Sequence, residues 1–260
     1  YLLFMTVEFY KYHGTGNDFV LIDNRSLFFD KNNTELISKI CSRHFGVGAD
    51  GLILLENDNL YDFKMIYFNS DGKQTSMCGN GGRCIISFAK KLNIIDDKAN
   101  FMAIDGIHEG IINNNLIKIK MNTVSEIQNI NTGFLLDTGS PHFVKFCDSI
   151  DNINVFEFGR ELRNNKEISE DGVNINFTEV IDNSSIKVRT YERGVENETL
   201  SCGTGVIASA LSAYKKGLVD TNRIKINTLG GELFVSFEFN NIYKNIWLEG
   251  PAIEVYKGQI

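Results

Sequence analysis

Proline is almost missing from this chain: Pro141 and Pro251 are the only two in 260 residues, and neither falls inside a segment with helical patterning. No Pro- or Ser-rich stretch divides the sequence, which excludes a collagen-like chain and a long linker between separate parts. Long apolar runs are lacking too, since none approaches the roughly 20 residues a membrane helix needs. Positive charge is not in excess: the formal net charge is -7, so nothing in the electrostatics calls for nucleic acid, and small molecules are the better class of ligand. Cysteines are five, at 41, 78, 84, 147 and 202. That odd, widely spaced set is no secreted disulfide framework. With no charged-then-apolar leader at the start, a cytoplasmic location is expected. Residues 1–4 precede the first methionine, Met5, and read as an expression remnant.

What remains is an ordinary globular composition, 43% hydrophobic and 23% charged, long enough for two domains of about 130 residues. The chain also repeats itself. Cys78-Gly79-Asn80-Gly81 recurs 124 positions later as Cys202-Gly203-Thr204-Gly205. The same displacement pairs Phe19-Val20 with Phe143-Val144, Gly48 with Gly172, Tyr67 with Tyr191, Thr75 with Thr199, Lys91 with Lys215 and Gly106 with Gly230. Overall identity is thin, so the weight rests on the constant register and on matched turns and glycines. Two halves of one architecture are expected. One is 5–125, with 251–260 open to returning to it; the other is 126–250, joined by a short connection near 122–132.

Each half reads as strands, a Gly-rich turn, one apolar helix and more strands. In the first, residues 64–68 predict a strand, the Cys78 motif a turn and 82–92 a helix. In the second, 186–191 alternates as IKVRTY, the Cys202 motif turns, and 206–214 is helical. That second helix is apolar or small nearly all round, which predicts burial on every side. Strands at 116–121 and 232–239 close the halves, with Asn113-Asn114-Asn115 and Asn240-Asn241 as turns. The expected fold class is α+β: two pseudo-symmetric halves, each a curved, antiparallel-rich sheet around a central helix, with the active site in the cleft between them.

A cysteine just ahead of a helix sits where unpaired N–H groups and the positive end of the helix dipole converge. Its thiol acidity should rise, and the Gly-x-Gly amides beside it can meet a carboxylate closely. Two such turns can place two thiols on opposite sides of one substrate atom. That suits inversion at a carbon next to a carboxylate, one thiolate removing a proton while the opposite thiol delivers another. Cys41, Cys84 and Cys147 are read as packing residues. Cys84 lies six residues from Cys78 with no His nearby, so no metal is expected.

At this point the chain resembles the diaminopimelate epimerase family over essentially its whole length. The carriers are residues 12–19 (YHGTGNDF), 46–51 (GVGADG), 67–72 (YFNSDG) leading to 78–84 (CGNGGRC), then 139–142 (GSPH), 172–174 (GVN) and 191–194 (YERG) leading to 201–205 (SCGTG). The resemblance implies a cofactor-independent enzyme interconverting LL-2,6-diaminopimelate and the meso isomer in lysine biosynthesis. Cys78 and Cys202 would be the acid–base pair, and the amides of Gly79, Asn80, Gly203 and Thr204 would hold the carboxylate at the reacting centre. Asn17 would lie near the reacting amino group. At the distal end Arg193 would fork onto the second carboxylate with help from Asn69 and Asn174, and Glu192 would meet the second ammonium. His142 is a candidate for assisting thiol deprotonation, set against a plain packing role. The family admits a homodimer.

The sequence departs from the family where Gly51 replaces a common glutamine and Ser140 a common asparagine, and where the segment 196–201 is one residue longer. Two alternatives stand beside the epimerase: a proline or hydroxyproline racemase of the same superfamily, which would leave Glu192 and Arg193 without a charged substrate end, and an inactive ligand-binding homologue. An isomerase of the phenazine-biosynthesis type would carry a single carboxylate in place of the cysteine pair.

Overall fold

The computed structural model describes residues 6–130 and 132–260; residues 1–4, expected from the sequence to be an expression remnant, lie outside them. The chain divides into two compact units, 6–119 with Pro251–Ile260, and Lys120–Gly250. Strands dominate both, and among the described residues no helix is long and apolar enough to cross a membrane.

In the first unit β1 (Glu8–Gly14) turns through Thr15 and Gly16, both at positive φ, into antiparallel β2 (Asn17–Asp23). Then come α1 (Thr34–Cys41), β3 (Gly51–Glu56), β4 (Phe63–Asn69), the short β5 (Gln74–Thr75), α2 (Gly79–Lys91), β6 (Lys98–Ala103), β7 (Gly106–Asn113) and β8 (Leu116–Met121). β3 runs parallel to β2, placing Phe19 opposite Gly51, and antiparallel to β4, placing Gly51 opposite Asn69. All of β3 is buried, because alternation along a strand serves two faces. Leu52 and Leu54 join the cluster built on α1 with Val20, Ile37, Ile40 and Phe68, whereas Ile53 reaches toward Gly81 on α2.

The second unit repeats this order: β9 (Gln128–Ile130), β10 (Gly133–Asp137), β11 (Pro141–Phe146), α3 (Val155–Arg163), β12 (Asn174–Asp182), β13 (Ser185–Glu192), β14 (Asn197–Thr199), α4 (Gly203–Lys215), β15 (Arg223–Thr228), β16 (Gly231–Asn240) and β17 (Ile242–Gly250). The pairing pattern recurs as well. β11 is parallel to β12 as β2 is to β3, and β13 is parallel to β15 as β4 is to β6. The last strand, β18 (Ile253–Gln259), pairs antiparallel with β1 of the first unit.

Both central helices begin earlier than propensity predicts: the Cys-Gly-x-Gly segments form the first turns of α2 and α4 rather than separate turns. Each glycine in a helix costs about 1 kcal/mol relative to alanine, so Gly79, Gly81 and Gly82 argue locally against a helix. Burial outweighs them. Ile85, Ile86 and Phe88 on α2 are fully enclosed, and a buried side chain of that size contributes roughly 1.5–3 kcal/mol. Residues 203 and 205–213 of α4 are all buried, as its small, apolar surface predicts.

Candidate active site

The four helices of the described residues start in two different ways. α1 and α3 are capped by Asn33 and Asn154, whose side chains accept from Leu36 N and Glu157 N, and both carry an acid in the first turn. α2 and α4 are preceded by Cys78 and Cys202, and neither has an acid in its first turn. A carboxylate there would compete with any anionic ligand for the leading amides and for the helix dipole.

Cys78 is partly exposed and in extended backbone, and its Sγ accepts from Gly81 N at 3.2 Å. The amides of Gly79 and Asn80 precede any intrahelical acceptor. Asn80 is buried and donates through Nδ2 to Asn17 Oδ1 at 3.2 Å. Asn17 in turn donates to Asp50 Oδ2 at 2.7 Å. Asp50, which lies in the 46–51 motif, therefore fixes Asn17. Asp50 and Asp18 are both held by Arg43, at 2.7 and 2.8 Å. Burial pushes the Asp18 carboxyl up, but the bonds and charges of Arg43 and Lys11 outweigh it and hold the group down at about 2. Asn69 is exposed at the end of β4, across Gly51 from Phe19. A Cβ on Gly51 would lie 2.5 Å from Phe68 O and 2.6 Å from the Tyr67 ring, so Tyr67 occupies the space a longer residue would enter.

In the second unit Cys202 is buried, and its Sγ lies 3.5 Å from Thr204 Oγ1. That hydroxyl is 2.9 Å from His142 Nε2 and 3.2 Å from Ser140 Oγ, while Ser140 Oγ is 3.0 Å from the same His nitrogen. Strand register explains the cluster: His142 pairs with Asn174 across β11 and β12, and Asn176, two residues on, shares that face. Asn176 Oδ1 accepts from Thr190 Oγ1 at 3.0 Å, which turns its Nδ2 toward His142 Nδ1 at 3.0 Å. This network makes Nδ1 the acceptor and leaves the ring proton on Nε2, facing Thr204. Burial, helped by the charge of Arg193 and opposed by the Asn176 bond, depresses His142 to about 3. The ring is a neutral donor at physiological pH, and a weak base.

Asn174 donates to Ser140 Oγ and Pro141 O, at 3.3 and 3.1 Å, and accepts from Arg193 N at 2.8 Å. Arg193 Nη1 also meets Gly172 O at 3.0 Å. Glu192, the last residue of β13, is partly buried beside it. The structure thus gathers Cys202, Thr204, His142, Asn174 and Arg193 into one network in this unit, and Cys78, Asn80 and Asn17 into another in the first. Asn69 ends β4 in the first unit, and Glu192 ends β13 in the second. Ser140, though shorter than asparagine, keeps three polar partners. Arg83, Asn176 and Thr190 escaped sequence reasoning; for Asn176 the signal was its two-residue spacing from Asn174. Cys41, Cys84 and Cys147 behave as packing residues, their thiol pKa values all raised by burial, Cys41 to about 12.

The sequence model described as diaminopimelate epimerase matches residues 9–125 and again 134–253. The diaminopimelate epimerase of Flavobacterium psychrophilum is 52% identical over 98% of this chain and all of its own length, and that of Aquifex aeolicus is 38% identical over 98% of each. Among solved structures, a phenazine biosynthesis protein of the PhzF family from Bacillus anthracis superposes with a TM-score of 0.75 at 14% identity, covering 98% of this chain and 99% of its own. A hydroxyproline epimerase from Agrobacterium vitis gives 0.73 at 13%, covering 99% and 93%. Those two likenesses carry the two-domain, repeated fold alone, whereas the sequence matches run end to end through both Cys-Gly-x-Gly helices, and the chain belongs to the diaminopimelate epimerase family.

Proposed function

We propose that this chain epimerises LL-2,6-diaminopimelate to the meso isomer and back, a step of lysine biosynthesis, by proton transfer at one α carbon between the thiols of Cys78 and Cys202. The observation that supports this best is the pair of Cys-preceded helices, each without an acid in its first turn, in a chain 52% identical to an epimerase of that name. In one direction the thiolate of one cysteine takes the α proton, and the thiol of the other gives its proton to the opposite face. Each turnover leaves the two sulfurs with exchanged protonation, ready for the reverse substrate. The leading amides of α2 and α4, from Gly79, Asn80, Gly203 and Thr204, receive the carboxylate whose charge grows as the carbon is deprotonated. Asn17, fixed by Asp50 and Asn80, lies on the amino side.

His142 has a donor's role in this scheme. Its Nε2–H points to Thr204 Oγ1, freeing the threonine hydroxyl proton to meet Cys202 Sγ. The bond stabilises Cys202 in the direction in which it is the thiolate. Arg193, with Asn174 and Asn69, serves the distal carboxylate, and Glu192 the distal ammonium, which a proline-like substrate would lack. No pyridoxal phosphate or metal enters the scheme; a cytoplasmic homodimer acting on a small amino acid belongs to the same reading. The test is to supply the purified, reduced protein with LL-diaminopimelate and, separately, with proline. Formation of the meso isomer without added cofactor is expected; turnover of proline alone would sink the assignment.

A further inference from the structure

Arg83 is the largest fully buried side chain of the described residues, and none of its hydrogen bonds among them goes to a carboxylate. Its four acceptors are neutral oxygens: Asn80 Oδ1 at 2.9 Å, Gly79 O at 3.2 Å, and Thr15 Oγ1 and Pro251 O at 3.3 Å. Enclosing a cation without a counter-charge is costly, so the fold retains it against a penalty. Two acidic groups feel its charge, the thiols of Cys84 and Cys78. Cys84 is fully buried, and burial pushes its thiol far up, so it stays protonated. The other is the thiol of Cys78, one residue before Gly79, whose carbonyl Arg83 grips; its anion would balance the guanidinium. Burial draws the guanidinium down only to about 10, and it remains charged at neutral pH.

The same side chain sets geometry. By donating to Asn80 Oδ1 it turns Asn80 Nδ2 to Asn17, and through Thr15 it grips the turn that delivers Asn17. Gly14 leaves room for this: a Cβ there would stand 3.0 Å from both Arg83 Nη2 and Asn80 O.

We propose that Arg83 is a positioning residue for the Cys78 half of the reaction, a buried cation that stabilises Cys78 whenever it is the thiolate of the pair and orients Asn80 and Asn17. The inference rests on the acid–base role proposed for Cys78. Other ionisable groups packed near this helix end are Cys84 on α2, Tyr12 on β1, Asp18 on β2, already paired with Lys11 and Arg43, and Asp105, which accepts from Met77 N. Substituting Arg83 leaves all of them in place.

The experiment follows iodoacetamide alkylation of Cys78 against pH in the full-length reduced protein, by peptide mass spectrometry, alongside kcat and KM. Arg83→Gln should raise the alkylation midpoint by about one pH unit or more and lower kcat about tenfold or more, with less effect on KM. Arg83→Lys keeps the charge and loses the planar fork, so its midpoint should stay near that of the parent while kcat falls. An unmoved midpoint in Arg83→Gln overturns the proposal. Should that variant not fold, Arg83→Lys decides: a raised midpoint, or undiminished kcat, overturns it. Cys78→Ala separates the two ideas. If it still epimerises, the acid–base reading of Cys78 fails and takes this inference with it; if it is inactive and Arg83→Gln leaves the midpoint unmoved, the Arg83 inference fails alone.

Discussion

At the scale of single residues, the hydroxyl of Thr204 lies 2.9 Å from His142 Nε2 and 3.5 Å from Cys202 Sγ. A hydroxyl that accepts one proton is free to donate its own, and a thiolate is the acceptor that benefits. Thr204→Val keeps the shape and removes the link. The alkylation midpoint of Cys202 should rise by about one unit and kcat should fall about tenfold or more, while Thr204→Ser retains most activity. A valine variant with parental kcat and an unmoved midpoint would remove Thr204 and His142 from the mechanism.

Among the elements, the two Cys-preceded helices were visible in sequence as a repeated motif, and their buried character was legible from the run of small and apolar residues between 206 and 213. Their starting points were not. Glycine propensity placed them after the motif, and only the burial that the surrounding strands provide draws the first turn into the helix. The polar network in the second unit was half legible. The motifs single out His142, Asn174 and Thr204 one at a time, but the contact between them depends on the parallel register of β11 and β12, which no local pattern encodes. Arg83 was hidden for a like reason: one cation on a helix ordinarily faces water, and its enclosure is a property of the neighbouring turn and strands. Close packing at the start of α4 makes its own prediction. A Cβ on Gly205 would stand 2.3 Å from Asn176 Oδ1 and 3.3 Å from His142 Cε1. Asn176 is held by Thr190 and Phe143 O and cannot step aside cheaply. Gly205→Ala should cost about 1–3 kcal/mol in urea unfolding and reduce turnover; an unchanged unfolding midpoint would show that α4 is less tightly seated than described.

For the molecule as a whole, His142 and Asp18 carry the largest shifts that bear on its response to acid. His142 is depressed to about 3 when folded, against about 6.5 in an unfolded chain. Between those values the unfolded chain binds the proton and the folded one does not, so stability falls as pH drops through that window. Asp18, held at about 2, contributes stability that is present above about 3.9 and is lost as pH falls toward 2. The melting temperature should therefore decline from about pH 6.5 downward, and His142→Gln should flatten the upper part of that decline; an equally steep profile in the variant would contradict the buried, neutral histidine. The reaction proposed for this chain needs both thiols acting together. The most direct measurement is proton NMR of LL-diaminopimelate and of the meso isomer in deuterated water with the parent protein, Cys78→Ala and Cys202→Ala, each reduced. The parent should form the opposite isomer from either substrate with deuterium at the inverted carbon, and neither variant should form it; epimerisation at the parental rate by either variant would contradict the two-thiol account.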